Sequence, residues 1–136
     1  MKIRQRRDIL RHYGLSEVML TITLNVKPLS VNEAFQGRRF STPAKKAYEG
    51  ALGILLPNRA IPGGPYYRIA YDFHLKNFSR TDWDNLIKVL QDSIVKRGII
   101  TDDRLIVDAR VRKFPAKVDK IVVRIEGCEL DMSADF

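Results

Sequence analysis

The 136-residue chain has few of the residues that build several common kinds of site. It contains one cysteine, Cys128, and two histidines, His12 and His74. One cysteine cannot form an internal disulfide, and this set gives neither a zinc-binding spacing nor a Cys–His catalytic pair. Glycine-rich loops of the P-loop or dinucleotide-binding type are also missing. We therefore expect no nucleotide cofactor, and the lone cysteine favours a reducing, cytoplasmic setting.

The sequence also lacks long apolar runs. None approaches the roughly 20 residues needed to cross a bilayer, so we expect no membrane partner. The N-terminal segment is basic, but neither an apolar stretch nor a small-residue cleavage site follows it, which argues against a secretory signal. The length predicts one domain over residues 1–136, with a basic extension at residues 1–18 and an acidic tail at residues 127–136.

Basic residues outnumber acidic ones. Twenty-four Lys and Arg face sixteen Asp and Glu, which gives a formal net charge of +8. Such an excess favours a polyanionic partner, and nucleic acid is the commonest. A basic surface without such a partner is the alternative that charge alone leaves open.

Hydrophobic periodicity predicts alternating strands and helices. Apolar and polar residues alternate in the strand segments, and apolar residues recur at helical spacing in the helices. The predicted strands cover residues 20–26, 66–76, about 104–113 and 119–126. The predicted helices run from Pro43 to about Leu55, and from near Asp84 to a stop at Gly98. A loop is expected between the first strand and the first helix.

This order, β-α-β-α-β-β, predicts an α+β fold. We expect a two-layer sandwich in which both helices cover one face of a mixed sheet of about four strands. The last two strands are predicted to form a hairpin. The outward face of the sheet would carry Arg68, His74, Lys76, Arg110, Arg112, Lys120 and Arg124, with Asp72 and Asp108 among them. Such a face could follow a phosphate backbone, or it could be solvated or part of a dimer contact.

Four aspartates crowd two predicted loops of this basic chain. Asp82 and Asp84 precede the second helix, and Asp102 and Asp103 follow it. Like charges repel unless a cation binds among them, and Mg²⁺ prefers such oxygen ligands. In extended backbone Asp82 and Asp84 would project to one side. Helix capping and turn formation are the structural alternatives for these residues.

Lys88 stands four residues after Asp84. On a helix this spacing puts both side chains on one face. A lysine there could position a phosphate, stabilise developing negative charge, or assist proton transfer. Its alternative role is a surface ion pair with Asp84 or Asp92.

These segments resemble the RusA family of Holliday junction resolvases, which are small endonucleases frequent in bacteriophages and prophages. The family pattern is Asp-x-Asp-Asn, a lysine four residues past the second Asp, a helix with an Asp, then Gly and an Asp-Asp pair. The matching stretches are Arg80-Thr81-Asp82-Trp83-Asp84-Asn85-Leu86-Ile87-Lys88, then Asp92, and Gly98 to Asp103. Pro28-Leu29-Ser30-Val31-Asn32 and the strand Val107–Lys113 are also similar, so the resemblance covers about residues 20–126.

The resemblance implies a metal-dependent nuclease. Family members are homodimers that bind four-way DNA junctions and make paired nicks in strands of like polarity, with Mg²⁺ or Mn²⁺. By the resemblance, the metal ligands are Asp82, Asp84 and Asp103, with Asp102 as a possible further ligand, and Lys88 is the essential lysine. A nucleoid-associated role in DNA recombination and repair would follow.

Several further residues are candidates for contact with DNA. The set comprises Lys88, Arg80, Arg38, Arg39, Lys45, Lys46, Asn32 and Arg112. The aromatic residues Phe35, Phe40 and Tyr48 could stack on unpaired bases, or belong to the core or to a dimer contact. A catalytically inactive DNA-binding protein of the same fold and a structural phage protein that binds packaged DNA are the alternative functions.

Overall fold

The computed structural model describes residues 19–36, 40–61 and 65–130, so the N-terminal extension and the end of the acidic tail lie outside the described residues. The strands are β1 (Met19–Leu24), β2 (Phe35–Gln36), β3 (Phe40–Ser41), β4 (Tyr66–Leu75), β5 (Ile106–Pro115) and β6 (Lys120–Cys128). The α-helices are α1 (Val31–Ala34), α2 (Pro43–Leu55) and α3 (Lys88–Lys96). Three 3-10 turns lie at Phe78–Arg80, Trp83–Leu86 and Asp103–Leu105. The α+β class with a four-stranded mixed sheet is confirmed.

The main sheet has the strand order β1-β6-β4-β5, and only β4 and β5 run parallel. The predicted hairpin between β5 and β6 is therefore wrong, because β4 lies between them. Residues 116–119 instead cross the end of β4. There the Ala116 N–H donates to the Leu75 carbonyl and the Lys76 N–H to Asp119 Oδ1, each at 3.0 Å. Parallel neighbours need a crossover connection, and α3 lies within it.

One face of β4 builds the core, as its period of two predicts. The buried residues of this face are Tyr67, Ile69, Tyr71, Phe73 and Leu75. Tyr48 and Leu52 of α2 and Leu90 and Ile94 of α3 join the same buried cluster. The two longer helices therefore cover one face of the sheet, and the opposite face remains outward.

Local signals set the helix ends. The Thr42 side chain accepts a hydrogen bond from the Lys45 N–H, and Pro43 opens α2 as expected. Gly98 follows α3 with φ +83°, a conformation that side chains with a Cβ rarely adopt. The predicted start of the second helix near Asp84 is wrong, since α3 begins at Lys88 and a 3-10 turn precedes it. Asp and Asn have a lower intrinsic preference for the α-helix than most residues, and Asp84-Asn85 lies within this turn.

A β-bulge in β5 changes which of its residues lie on each side of the sheet. Tyr67 pairs with Ile106 but Arg68 pairs with Asp108, so Val107 has no partner across β4 and its side chain is 41% exposed. The regular alternation expected along this segment therefore breaks at Val107. Beyond the bulge, the residues level with the buried positions of β4 are Ala109, Val111 and Lys113. Lys113 is thereby on the helix-covered side of the sheet.

The segment predicted as a loop before the first long helix contains short elements. Ser30 caps α1: its hydroxyl accepts from the Glu33 N–H at 3.2 Å and donates to Glu33 Oε1 at 3.1 Å. The first bond is the serine half of a capping box, whereas the second joins the two side chains instead of the glutamate to the Ser30 backbone N–H. β2 and β3 then pair as a two-stranded ribbon. In the described part of the chain, no helix is long and apolar enough to cross a membrane.

Candidate active site

The Asp82–Asp84 pair occupies the start of the Trp83–Leu86 turn. Asp82 has extended backbone (φ −80°, ψ 130°) at the cap position, and its side chain makes no capping hydrogen bond. Both carboxylates are exposed, whereas Leu86 at the end of the turn is buried and anchors it in the core. The assumption of a fully extended Asp82–Asp84 segment is wrong, because the backbone turns after Asp82. The alternative that Asp84 or Asn85 caps the second helix is wrong, because both lie within the 3-10 turn and the cap position of α3 is Ile87.

Lys113 fixes the loop that leads to this turn. Its ammonium donates to the carbonyl oxygens of Phe78 and Thr81, each at 2.8 Å, and lies 4.4 Å from the centre of the Phe78 ring. Hydrogen bonds from a charged donor are stronger than neutral ones. Thr81 immediately precedes Asp82. The half-buried Lys113 side chain of β5 therefore helps to fix the position of the Asp82 backbone.

Lys88 is the first residue of α3 and forms an ion pair along the helix. Its ammonium lies 3.1 Å from Asp92 Oδ1, and the two side chains are 62% and 52% exposed. The alternative pairing with Asp84 is not present, since the backbone between them is not α-helical. An exposed ion pair of this kind contributes little stability. The Lys88 ammonium is therefore accessible to an incoming phosphate.

Asp102 and Asp103 differ in their surroundings. The Asp102 carboxylate accepts from the Arg104 backbone N–H at 2.9 Å and from the Arg104 guanidinium at 3.0 and 2.8 Å. These bonds hold the pKa of Asp102 below its usual value. Asp103 is half-buried in the following turn, which contacts α3. Asp102 thus caps this turn, and Asp103 has the more available carboxylate.

Tyr71 marks the place where Asp103 approaches α3. Its buried hydroxyl donates to Gln91 Oε1 at 2.9 Å. Burial raises the pKa of Tyr71, and the negative charges of Asp103 and Asp92 raise it further. The Asp103–Leu105 turn contacts α3, so Asp103 lies near the helix that carries Lys88 and Asp92, and its grouping with Asp82 and Asp84 stays a prediction.

The donor chemistry of these residues suits a hard divalent cation. Mg²⁺ takes oxygen ligands, keeps several waters, and is commonly held by one or two carboxylates together with a substrate phosphate. Among residues 19–36, 40–61 and 65–130, no three His, Cys, Asp or Glu side chains are grouped closely enough to hold a metal. The exposed carboxylates of Asp82 and Asp84 have the donor chemistry for such an ion, but the described residues do not group them with Asp103, so the metal site and its three-ligand set stay predictions.

The candidate DNA contacts are dispersed. Asn32, Lys46 and Arg80 are exposed, and α1, which carries Asn32, contacts both the Trp83–Leu86 turn and α3. Lys45 is engaged locally by Glu49 and Ser41, each at 3.3 Å, and its ammonium lies 5.0 Å from the Phe35 ring centre. Arg38 and Arg39 lie outside the described residues, as does the side chain of Phe40. Tyr48 is buried in the core, so the suggestion that it stacks on DNA bases is wrong.

Arg112 lies on the outward face of the sheet, away from the helices. It donates two hydrogen bonds of 2.9 Å to Asp72, which also accepts from Arg124 at 3.3 Å. Asp72 is buried between these arginines, and the Arg112 hydrogen bond lowers its pKa. His74 stacks on Phe114 on the same face, with ring centres 5.0 Å apart. Arg112 therefore belongs to an ion-pair network that does not adjoin the Asp82–Asp84 turn.

Sequence reasoning missed two residues at this site. The sequence placed Lys113 only at the end of a strand similar to the family's. The side of the sheet on which Lys113 lies depends on the β-bulge, and the bulge depends on which strands pair. Trp83 was treated only as the spacer between two aspartates, although its side chain is 53% exposed. The position of a large aromatic between two proposed ligands was the signal that could have identified it.

Comparison with known proteins identifies the family of the chain. The family model described as Endodeoxyribonuclease RusA matches residues 36–126. The crossover junction endodeoxyribonuclease RusA of Escherichia coli O139:H28 (strain E24377A / ETEC) is 32% identical to the chain over 82 residues, which is 59% of this chain and 68% of that protein. The family match contains both acidic segments, Lys88 and Lys113. It extends over more than half of the sequence, and we conclude that the chain belongs to the RusA family of endodeoxyribonucleases.

Proposed function

We propose that this protein is a Mg²⁺-dependent crossover junction endodeoxyribonuclease, which resolves four-way and related branched DNA by paired symmetric nicks. The single observation that carries the proposal is the Asp82–Asp84 turn. It presents two exposed carboxylates on a segment anchored by buried Leu86 and by the Lys113 hydrogen bonds. In a chain of net charge +8, exposed acids on an anchored turn suit a cation that bridges protein and phosphate.

Each residue has a defined part in this proposal. Asp82 and Asp84 hold the ion, and Asp103 is the third candidate ligand. The ion, when bound, polarises the scissile phosphate and stabilises the leaving oxygen. Lys88 exchanges its exposed ion pair with Asp92 for the phosphate and offsets the charge that develops during cleavage.

Positioning of the DNA follows from the surrounding elements. Arg80 and Asn32 are exposed on elements adjacent to the acidic turn, and they are proposed contacts to the phosphate backbone. Lys45, Lys46, Arg38, Arg39 and Arg112 stay candidates for the flanking arms. Arg112 would reach DNA only along the outward face of the sheet, where Asp72 already binds it.

Paired nicks require two active sites with matching symmetry. A four-way junction has strands related by twofold symmetry, so a homodimer with two equivalent sites can cut both. We therefore propose a homodimer that acts in the cytoplasm on recombination and repair intermediates, of phage or prophage origin. Mn²⁺ is the expected substitute for Mg²⁺, because it accepts similar oxygen ligands.

The test uses the wild-type protein and a synthetic four-way junction labelled on each strand in turn. The proposal predicts nicks at symmetric positions in two strands of like polarity with Mg²⁺ or Mn²⁺, and none in EDTA. A linear duplex of the same sequence is the matched substrate and should stay intact. Nicks in only one strand would contradict the paired mechanism, and equal cleavage of the duplex would contradict branch specificity.

An inactive branched-DNA-binding protein is the second candidate. It is favoured by the lack of a grouped three-carboxylate site among the described residues. Tight binding of the junction without nicking, across a range of Mg²⁺ and Mn²⁺ concentrations, would support this candidate over the nuclease.

A further inference from the structure

Trp83 is a large apolar side chain that the fold leaves half in water. Its side chain is 53% exposed, whereas Leu86 in the same four-residue turn is 1% exposed. The turn is therefore packed against the core through Leu86, and the indole is not needed to fill that core. Single exposed apolar residues are common, so exposure alone would mean little. Trp83 differs from such residues because its chain neighbours are the two proposed metal ligands.

Trp83 lies between Asp82 and Asp84 in the sequence, the two residues proposed to bind the cation. Asp82 and Asp84 are its chain neighbours, and consecutive Cα atoms are about 3.8 Å apart. Any phosphate that reaches a cation at this turn therefore brings the nucleosides on either side of it close to the indole. The adjoining cations, Arg80 before the turn and Lys88 after it, are exposed on the same segment.

Stacking supplies a reason for an aromatic at this position. Every base has a π face, and stacking on an aromatic side chain stabilises single-stranded nucleic acid without regard to sequence. In continuous duplex those faces are covered by neighbouring base pairs. At a branch point, or where a base is turned out of the helix, they become accessible. An exposed indole next to the scissile phosphate would thus favour branched DNA over duplex.

We propose that Trp83 is a nucleobase-stacking site, which binds an unstacked base adjacent to the phosphate that the cation at Asp82 and Asp84 would bind. This inference rests on the proposed function for the identity of the ligand, but it concerns binding rather than cleavage. If Trp83 stacks on such a base, part of the preference for branched DNA over duplex comes from this one side chain.

The chain contains one tryptophan, so fluorescence excited at a wavelength that tyrosine does not absorb reports on Trp83 alone. The full-length protein is titrated with Ca²⁺ in place of Mg²⁺, since Ca²⁺ also takes oxygen ligands, using a synthetic four-way junction and a linear duplex of matched sequence. A denaturing gel checks that the strands stay intact. Stacking predicts that the junction quenches the emission and protects the indole from acrylamide, and that the duplex does so much less. Equal quenching and protection by the two DNAs, or none by either, would overturn the inference.

Affinity measurements on variants provide the second arm. Trp83→Ala should weaken junction binding roughly 10-fold or more and leave duplex binding unchanged, because it removes one stacked base contact. Trp83→Phe, which keeps an aromatic face, should restore part of the difference. Ile54→Ala is the matched control, since it removes an exposed apolar side chain (85%) from α2. Unfolding curves would show that all three variants fold.

The two hypotheses fail in different ways. If Trp83→Ala keeps the junction preference of the wild type while the wild type cleaves junctions, the stacking site is wrong and the proposed function stands. If the wild type shows junction-specific quenching but cuts no DNA with any divalent cation, the nuclease proposal is wrong and the stacking site stands.

Discussion

The Lys113 ammonium donates a 2.8 Å hydrogen bond to the carbonyl oxygen of Thr81, the residue immediately before Asp82. Lys113 lies on β5, and its strand position is level with buried Phe73 of β4. Lys113 therefore attaches the loop that carries the proposed ligands Asp82 and Asp84 to the sheet, although it is not itself a proposed ligand. Residues that orient ligands in this way commonly affect the affinity for a metal without touching it.

Replacement of Lys113 should separate positioning from folding. Lys113→Met removes both carbonyl contacts, and we expect a loss of about 1–3 kcal/mol in the free energy of unfolding. We also expect the Mg²⁺ concentration needed for half-maximal cleavage to rise about 10-fold or more, because Asp82 loses its fixed position. Cleavage as a function of Mg²⁺ concentration and chemical denaturation would measure the two effects.

Lys113→Arg is the conservative control. It retains the charge and can still donate to carbonyl oxygens, so part of the Mg²⁺ response should return. If Lys113→Met lowered stability but kept the wild-type Mg²⁺ dependence, Lys113 would have only a structural role.

Lys88 is expected to be required for cleavage and nearly irrelevant to stability. Its pair with Asp92 is exposed, so Lys88→Met should change the free energy of unfolding by less than about 1 kcal/mol. Loss of a cation at the reacting phosphate should lower the cleavage rate about 100-fold or more. Asp92→Asn breaks the same ion pair and is the matched control. Equal rate losses in the two variants would indicate that the ion pair, rather than the lysine alone, is required.

The adjacent acids Asp102 and Asp103 should respond differently to the same substitution. Asp103→Asn removes a proposed ligand, and we expect cleavage to fall about 100-fold or more. Asp102→Asn leaves a residue that can still cap the turn, so stability should change little and cleavage should persist. Single-turnover cleavage of a four-way junction measures both. The opposite ranking would assign the ligand to Asp102.

Asp72 should make stability depend on pH in the acid range. The Arg112 hydrogen bond lowers the pKa of Asp72 in the folded state, so its stabilising effect is complete above the unfolded value near 3.9. That effect is lost as the pH falls through the lower folded-state pKa. Asp72→Asn should cost about 1–3 kcal/mol at pH 7, and the difference from wild type should shrink below about pH 4.

Urea denaturation at a series of pH values would measure this difference. Asp108→Asn, which removes a more exposed carboxylate 3.7 Å from Arg68, should cost less than about 1 kcal/mol at pH 7. A constant difference between Asp72→Asn and wild type from pH 7 to pH 3 would contradict the account of this network.

Features encoded by local chemistry were predictable from the sequence. The period of two along β4 identified its buried face, and Thr42-Pro43 and Gly98 gave the ends of the helices, because each depends on nearby backbone and side-chain preferences. The bulge at Val107 and the insertion of β4 between β5 and β6 were not predictable, since both depend on which strands pair. The face assigned to Lys113 depended on the same pairing.

In the candidate site, too, residue types and spacing were predictable from the sequence, whereas the arrangement of the residues in space was not. The types and spacing of Asp82, Asp84 and Lys88 indicated a cation and a phosphate. They did not show that the backbone turns after Asp82, or that Lys88 pairs with Asp92 instead of Asp84. Asp103 was expected near the site only if the chain returned to it. Its turn contacts α3, but the described residues do not group Asp103 with Asp82 and Asp84.

The central claim is that the Asp82–Asp84 turn binds the cation that cuts branched DNA. The most direct measurement compares Mg²⁺-dependent nicking and binding of a four-way junction by wild type and Asp82→Asn, with Asp108→Asn as the control for loss of one negative charge elsewhere. We predict that Asp82→Asn binds the junction and folds like wild type, but nicks it about 100-fold or more slowly, while Asp108→Asn retains activity. Undiminished nicking by Asp82→Asn would contradict the claim.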